Sequence, residues 1–270
     1  MARSREQAIE QLLAPGWEDL HPYKKWQGAH WRVISLVELG VRSHPQALAM
    51  LDRTLAWLTN AQRAQRAPVV EGRVRHCASQ EGNGLLAASR LGEGRAASVL
   101  AERLVAWQWP DGGWNCDSRS AAAHSSFHET VWPLRGLVAY DAAVGDTAAR
   151  EAARRAAEFL LGHRLFRSER TGEVIDREWL HLHWPPTWRY DVLQGLRAIA
   201  EAGHAQRPEA TEAFTWLEGE RRDDGTWGPS GRRYWSPPGS GDRAAEVVDW
   251  GSCADDILTE QALDVLAQRG

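Results

Sequence analysis

A Gly–Trp turn that occurs twice does most to limit what this chain can fold into. Trp107-Gln108-Trp109-Pro110-Asp111-Gly112-Gly113-Trp114 returns in altered form as Arg221-Arg222-Asp223-Asp224-Gly225-Thr226-Trp227-Gly228, each time after a segment with helical spacing. Ala97, Val99, Leu100, Leu104 and Val105 precede the first turn, and Ala210, Ala213, Phe214, Trp216 and Leu217 the second. Both sets fall on one face of a helix. A repeated unit of this size cannot bury its apolar face alone, so copies must stack on one another.

Further copies emerge once the unit is defined as helix, turn, helix. Ala47-Leu48 to Leu58 ends at Asn60-Ala61-Gln62, and Ala152 to Leu161 ends at Gly162-His163-Arg164. Partner helices are expected at Trp31–Gly40, Asn83–Gly92, Val131–Leu137 and Asp191–Leu196, with glycine stopping two of them as a left-handed C-terminal residue does. Glu6–Leu13 reads as a short first helix. The expected fold is all-α: five helical hairpins, with an incomplete sixth, in a single domain over residues 1–270.

Tryptophan is the odd entry in the composition, 15 residues against 4 Phe and 4 Tyr. Two uses compete for so many indoles: mortar between repeats, or the lining of an apolar cavity able to stabilise positive charge. A net charge of -4 argues against a nucleic-acid partner, which needs clustered positive surface. Tyr23-Lys24-Lys25-Trp26 reads either as a peripheral membrane contact or as a solvated face. No apolar run is long enough for a transmembrane segment, and the N-terminus lacks the apolar core of a signal peptide. Three cysteines spread over the chain fit a reducing compartment, so a cytoplasmic location is expected.

The long irregular stretches, Arg63–Arg75, Trp114–Ser125, Leu165–Thr187 and Gly228–Ser252, each precede a partner helix. In a closed ring they gather at one end, so the starts of the partner helices are expected to face a shared cavity. Polar clusters fall at those starts: His30 with Trp31, Glu81 with Asn83, His128 with Glu129, Arg189 with Tyr190 and Asp191, and Asp255 with Asp256. Each could be a cap alone. Together they would supply acid, base and cation at one mouth, with Trp132 and Trp188 as further lining. His128 and Glu129 would then serve as a general base and its neighbour, and Arg189 would hold a carboxylate or phosphate, unless it only pairs with a nearby loop. No phosphate-binding loop, dinucleotide fingerprint or serine nucleophile elbow is present.

Gln108 with Asp111-Gly112-Gly113-Trp114, and Asp224-Gly225-Thr226-Trp227 without the Gln, resemble the repeat of the terpene cyclase and protein prenyltransferase superfamily. His76-Cys77 with Gly82-Asn83, Trp114-Asn115-Cys116, and Pro185-Pro186-Thr187-Trp188-Arg189-Tyr190-Asp191 extend the likeness to squalene cyclase-like and prenyltransferase-like single-domain proteins. The resemblance implies an α/α toroid, a barrel of five to six helical hairpins with its cavity at the axis. It implies an enzyme acting on an apolar, isoprenoid-type small molecule by acid-initiated cyclisation or related carbocation chemistry. The alternatives are a non-catalytic scaffold holding a lipid or peptide and a zinc-dependent transferase.

Cyclases of that superfamily protonate their substrate with an Asp of an Asp-x-Asp-Asp motif. The nearest match is Cys253-Ala254-Asp255-Asp256, with the first Asp replaced; to work as an acid, Asp255 or Asp256 has to be buried, and otherwise the pair caps a helix. The prenyltransferase branch binds zinc through Asp, Cys and His. Comparable residue types are Cys77, Cys116, Asp117, His124 and His128, although their spacing fits no recognised zinc pattern. Zinc or magnesium are the cofactors in question, and no metal ligand set is fixed by sequence.

Overall fold

The computed structural model describes residues 4–230 and 246–269. Eleven α-helices account for nearly all regular structure there: α1 Arg5–Leu13, α2 Ala29–Glu38, α3 Pro45–Leu58, α4 Ala61–Gln65, α5 Ala78–Arg90, α6 Ser98–Trp107, α7 Phe127–Val144, α8 Thr147–Gly162, α9 Val192–Glu201, α10 Thr211–Gly219 and α11 Cys253–Ala267. Among the described residues the protein is all-α apart from a two-residue strand pair, Val69–Val70 against Arg73–Val74, and an isolated bridge between Arg167 and Val174. Four hairpins are complete among the described residues: α2–α3, α5–α6, α7–α8 and α9–α10. α11 closes the described chain without a partner after it. Among the described residues no helix is long and apolar enough to cross a membrane.

Local chemistry explains the boundaries. Ser4, Asp146 and Asp191 each accept a main-chain N–H two or three residues into the helix they cap, and Pro45 opens α3 where its missing N–H costs nothing. Gly40 and Gly92 follow α2 and α5 with φ of 89° and 85°, a region open to glycine without strain. The irregular Arg63–Arg75 stretch holds part of α4 and the strand pair, and a 3-10 turn at Arg177–Leu180 interrupts the one before α9. Within Gly228–Ser252, residues 231–245 lie outside the described part.

Burial divides the helices into two sets. In α2 every residue from Ala29 to Val37 is buried, and in α5 every residue from Ala78 to Ala88. α3, α6, α8 and α10 bury only one stripe, as amphipathic outer helices do. The second helix of each unit packs in chain order, α2 on α5, α5 on α7, α7 on α9 and α9 on α11, although α11 buries only one stripe. The closest approach joins α5 to α7: a β-carbon on Gly82 would lie 2.4 Å from the Pro133 nitrogen, and one on Gly136 2.6 Å from the Gly82 carbonyl oxygen.

The repeated turn is a seal of tryptophan. Trp114 Nε1 donates to the Leu104 carbonyl at 2.9 Å and Trp227 Nε1 to the Leu217 carbonyl at 2.8 Å, both across a separation of 10 residues. Their main-chain N–H groups also find equivalent partners, Thr130 Oγ1 at 3.3 Å and Thr259 Oγ1 at 2.9 Å in the following helix. Gln108 Nε2 bonds the Gly112 carbonyl, and Arg221 Nε does the same for Gly225, so arginine replaces the glutamine missing from the second copy.

A buried ion-pair network joins α2, α7 and α9. Arg135 Nη2 lies 2.9 Å from Glu38 Oε1 and 2.8 Å from Glu201 Oε1, while Arg197 Nη1 donates to Glu38 Oε2 at 2.6 Å. Burial opposes ionisation of Glu38, but Arg135 and Arg197 outweigh it and hold its carboxyl at about 2. Leaving any one of these charges alone would expose the full cost of desolvation.

Candidate thiol and carboxylate site

The starts of α2, α5 and α7 meet. Cys77 is the residue before α5, Glu129 lies in the first turn of α7, and Cys116 belongs to the segment that follows the Trp114 seal. The two sulfurs and a Glu129 oxygen all lie within 4.8 Å of one another. Glu129 Oε2 accepts the Ser79 N–H at 2.8 Å, and Oε1 accepts the Cys116 thiol at 3.5 Å. Pro133 has no N–H to return to the Glu129 carbonyl, so the helical ladder is broken one turn past this carboxylate.

Burial pushes the Glu129 carboxyl up, against the bonds from Ser79 and Cys116, and neighbouring Glu81 adds to the rise. The thiols are tied to each other by a hydrogen bond that lowers Cys77 and raises Cys116. One thiolate is therefore easier to form than two.

A second layer surrounds these atoms. Glu81 is fully buried and receives His76 Nε2 at 3.0 Å and Arg63 Nη2 at 3.2 Å. Arg63 also bonds Gln80 and lies 4.5 Å over the Trp57 ring. Tyr23, pushed up to about 12 by burial and hydrogen-bonded with Gln80, packs on His30 and Trp57. Trp57, Asn60, Arg63, Arg66, Pro68 and His76 line a cleft of about 370 Å³ that runs from solvent to this layer. Deeper in, His30 is fully buried and held near 3, first by desolvation and then by Arg63. Neither of its ring nitrogens, nor the amide of buried Asn83, has a hydrogen-bond partner among the described residues.

The sequence-predicted residues divide sharply. His30, Glu81 and Glu129 stand at the meeting point, with Trp31 packed edge-on against His30. His128 faces the other way: its Nδ1 accepts the Tyr190 N–H at 2.8 Å, and burial followed by Arg189 brings it to about 4. Tyr190 donates its hydroxyl to the Leu165 carbonyl at 2.6 Å, Trp132 its N–H to the Thr187 carbonyl at 3.0 Å, and Asp191 caps α9. These three are holding the loop before α9 in place. Arg189 stacks over Trp188, 5.0 Å from guanidinium carbon to ring centre.

Three expectations are corrected. Asp255 is 38% exposed and paired to Arg222 at 3.2 Å, and Asp256 is exposed, so the burial an initiating acid needs is missing from both; nor does either cap α11, whose N-cap is Ser252. Asp117 is engaged by Arg119, His124 is exposed and His128 is taken up by Tyr190, so of the five metal candidates only Cys77 and Cys116 reach the cluster, with Glu129 as the third donor. Tyr23 and Trp26 turn inward, Trp26 packing 4.7 Å from Trp31, which leaves only Lys24 and Lys25 exposed and removes the aromatic half of a membrane contact.

Sequence reasoning passed over Tyr23, Arg63 and Gln80, and the whole Glu38–Arg135–Arg197–Glu201 network. A signal existed for the network: Glu38, Arg135 and Arg197 each interrupt an aliphatic stripe. Glu246 was missed as well; it is buried against Trp250 Nε1 and raised to about 8 by desolvation.

No family model matches the chain, and neither a curated protein nor a solved structure matches it.

Proposed function

We propose that this protein is a metal-dependent enzyme on an α/α toroid, acting on an apolar, isoprenoid-type small molecule at the starts of α2, α5 and α7. The observation that carries the reading is the convergence of Cys77, Cys116 and Glu129. Two sulfurs and one carboxylate oxygen form a donor set suited to zinc, whereas magnesium avoids sulfur. Three protein donors also match the catalytic class of zinc site, in which a fourth position is left for a reactant. Bound there, zinc supplies a Lewis acid.

The remaining residues have definable tasks. The Ser79 N–H orients the Glu129 carboxylate, and Glu81 takes up the charge of Arg63, leaving that guanidinium to lie along the cleft wall. The unpaired polar atoms of His30 and Asn83 offer hydrogen bonds to a polar group of a guest. The Trp57 and Tyr23 rings give an apolar body a surface to rest on. In the toroid reading α2, α5, α7, α9 and α11 form the inner ring. α3, α6, α8 and α10 form the outer one, and α1, tied to α11 through Arg5 and Glu260, serves as the fifth outer helix.

Metal analysis of purified protein tests this. One zinc per chain is expected, lost on Cys77→Ser or Cys116→Ser with helix content unchanged. Protein that takes up no zinc after reduction and exposure to the metal overturns the reading.

A second reading is favoured by one observation: Glu129 is buried and its carboxyl is raised, which suits a proton donor to an alkene or epoxide in place of the exposed Asp pair. It expects Glu129→Gln to abolish conversion of such a substrate by metal-free protein. Ligand binding without conversion by any form would leave the scaffold reading.

A further inference from the structure

We infer that Cys77 and Cys116 are a redox pair, closing to a disulfide when the protein meets a low-molecular-weight disulfide such as oxidised glutathione. Three observations carry this. The two sulfurs lie within 4.8 Å of one another, although they come from separate segments of the chain. Cys116 is exposed, so an external disulfide can reach it, while Cys77 is partly sheltered behind it. Cys116 also lies in the stretch between α6 and α7, free of helical hydrogen bonds, so its backbone can make the small shift to a bond length of about 2 Å.

The exchange runs in two balanced steps. The Cys116 thiol passes its proton to the Glu129 carboxylate to which it donates, and its sulfur attacks one sulfur of the oxidant. The oxidant's S–S bond breaks, one thiolate leaves and takes up a proton, and a mixed disulfide remains on Cys116. Cys77 then loses its proton and attacks the Cys116 sulfur, expelling the second thiolate. Two protein thiols are oxidised, and one external disulfide is reduced to two thiols. Cys253, 1% exposed at the start of α11, stays outside the exchange. If the zinc reading holds, closure removes two of the three donor atoms, so oxidation and metal occupancy exclude each other.

The experiment uses the full chain, stripped with a chelator, incubated with oxidised glutathione and then alkylated and digested with trypsin. A linked pair of peptides carrying Cys77 and Cys116 is expected, and Cys253→Ser protein should give the same pair. Recovery of both cysteines alkylated, or as separate glutathione adducts, overturns the inference. A parallel sample with added zinc separates the two claims. Protection from closure supports both, whereas closure at an undiminished rate leaves the redox pair standing and counts against the metal.

Discussion

Trp227 donates its indole N–H to the Leu217 carbonyl, reproducing at the second turn the bond that Trp114 makes to Leu104. The carbonyls concerned sit near the C-terminal ends of α10 and α6, where helices run short of internal donors. Replacing either tryptophan by phenylalanine keeps most of the buried ring and removes the indole donor, which strands the Leu104 carbonyl and leaves the Leu217 carbonyl with only the 3.3 Å bond from the Glu220 N–H. Trp114→Phe and Trp227→Phe are each expected to cost about 1–3 kcal/mol, read from urea unfolding midpoints. Midpoints equal to that of the parent protein would mean that the indoles act through area alone.

The network at Glu38 sets an acid limit. Its folded carboxyl is held at about 2, below the usual 4.5, so it contributes stability that is complete above the unfolded value and drains away as pH falls from about 4.5 toward 2. Glu38→Gln should cost about 3–5 kcal/mol at neutral pH, because Arg135 and Arg197 stay buried with one acceptor charge fewer. Thermal melts from pH 7 to 2.5 check both points. A variant as stable as the parent at neutral pH would show that the network contributes nothing net.

His30 acts in a higher window with the same sign. Buried neutral and held near 3, it resists protonation when folded and accepts it readily when unfolded. Stability is therefore expected to fall as pH drops from about 6.5 toward 3, and His30→Phe should flatten that slope between pH 6.5 and 5. An unchanged slope in the variant would rule His30 out as its source.

Glu246 has the opposite sign. Its carboxyl is raised to about 8, so the contribution of the buried neutral acid is complete below about 4.5 and is lost as pH rises through 8. Glu246→Gln, which keeps an acceptor for Trp250, should raise the melting temperature more at pH 9 than at pH 5. Equal shifts at the two pH values would refute the assignment.

Contact between α5 and α7 leaves no space for a methyl group at Gly82, because the atoms in the way belong to the Trp132 and Pro133 backbone. Gly82→Ala should cost about 1–3 kcal/mol in unfolding experiments. It should also weaken metal uptake, since Cys77 and Glu129 are carried by the two helices being pushed apart. Normal uptake in a folded variant would uncouple that contact from the site.

Much of the fold was legible in sequence, because the 3.6-residue period and the tryptophan turns are local signals. The starts of α2, α5 and α7 were placed by the same logic, which is why His30, Glu81 and Glu129 were found. Asp255 and Asp256 were misjudged for a physical reason: a first-turn position says nothing about which side faces solvent, and the Arg222 partner comes from the preceding turn. Glu129 as a neighbour of Cys116 depends on how the Trp114–Ser126 segment folds back, and no periodicity encodes that. The ionic network combines side chains from α2, α7 and α9, and which of them meet is decided only by how the helices pack.

If the zinc reading holds, the notch at Gly82 and Gly136 has a consequence for ion choice. Two rods touching backbone to backbone beneath a set of donors cannot spread or close to suit the guest, so the spacing between Cys77 and Glu129 behaves as a fixed gauge. Size discrimination among soft cations would then originate in two missing side chains buried below the ligands, and widening that gauge should broaden the range of metals accepted.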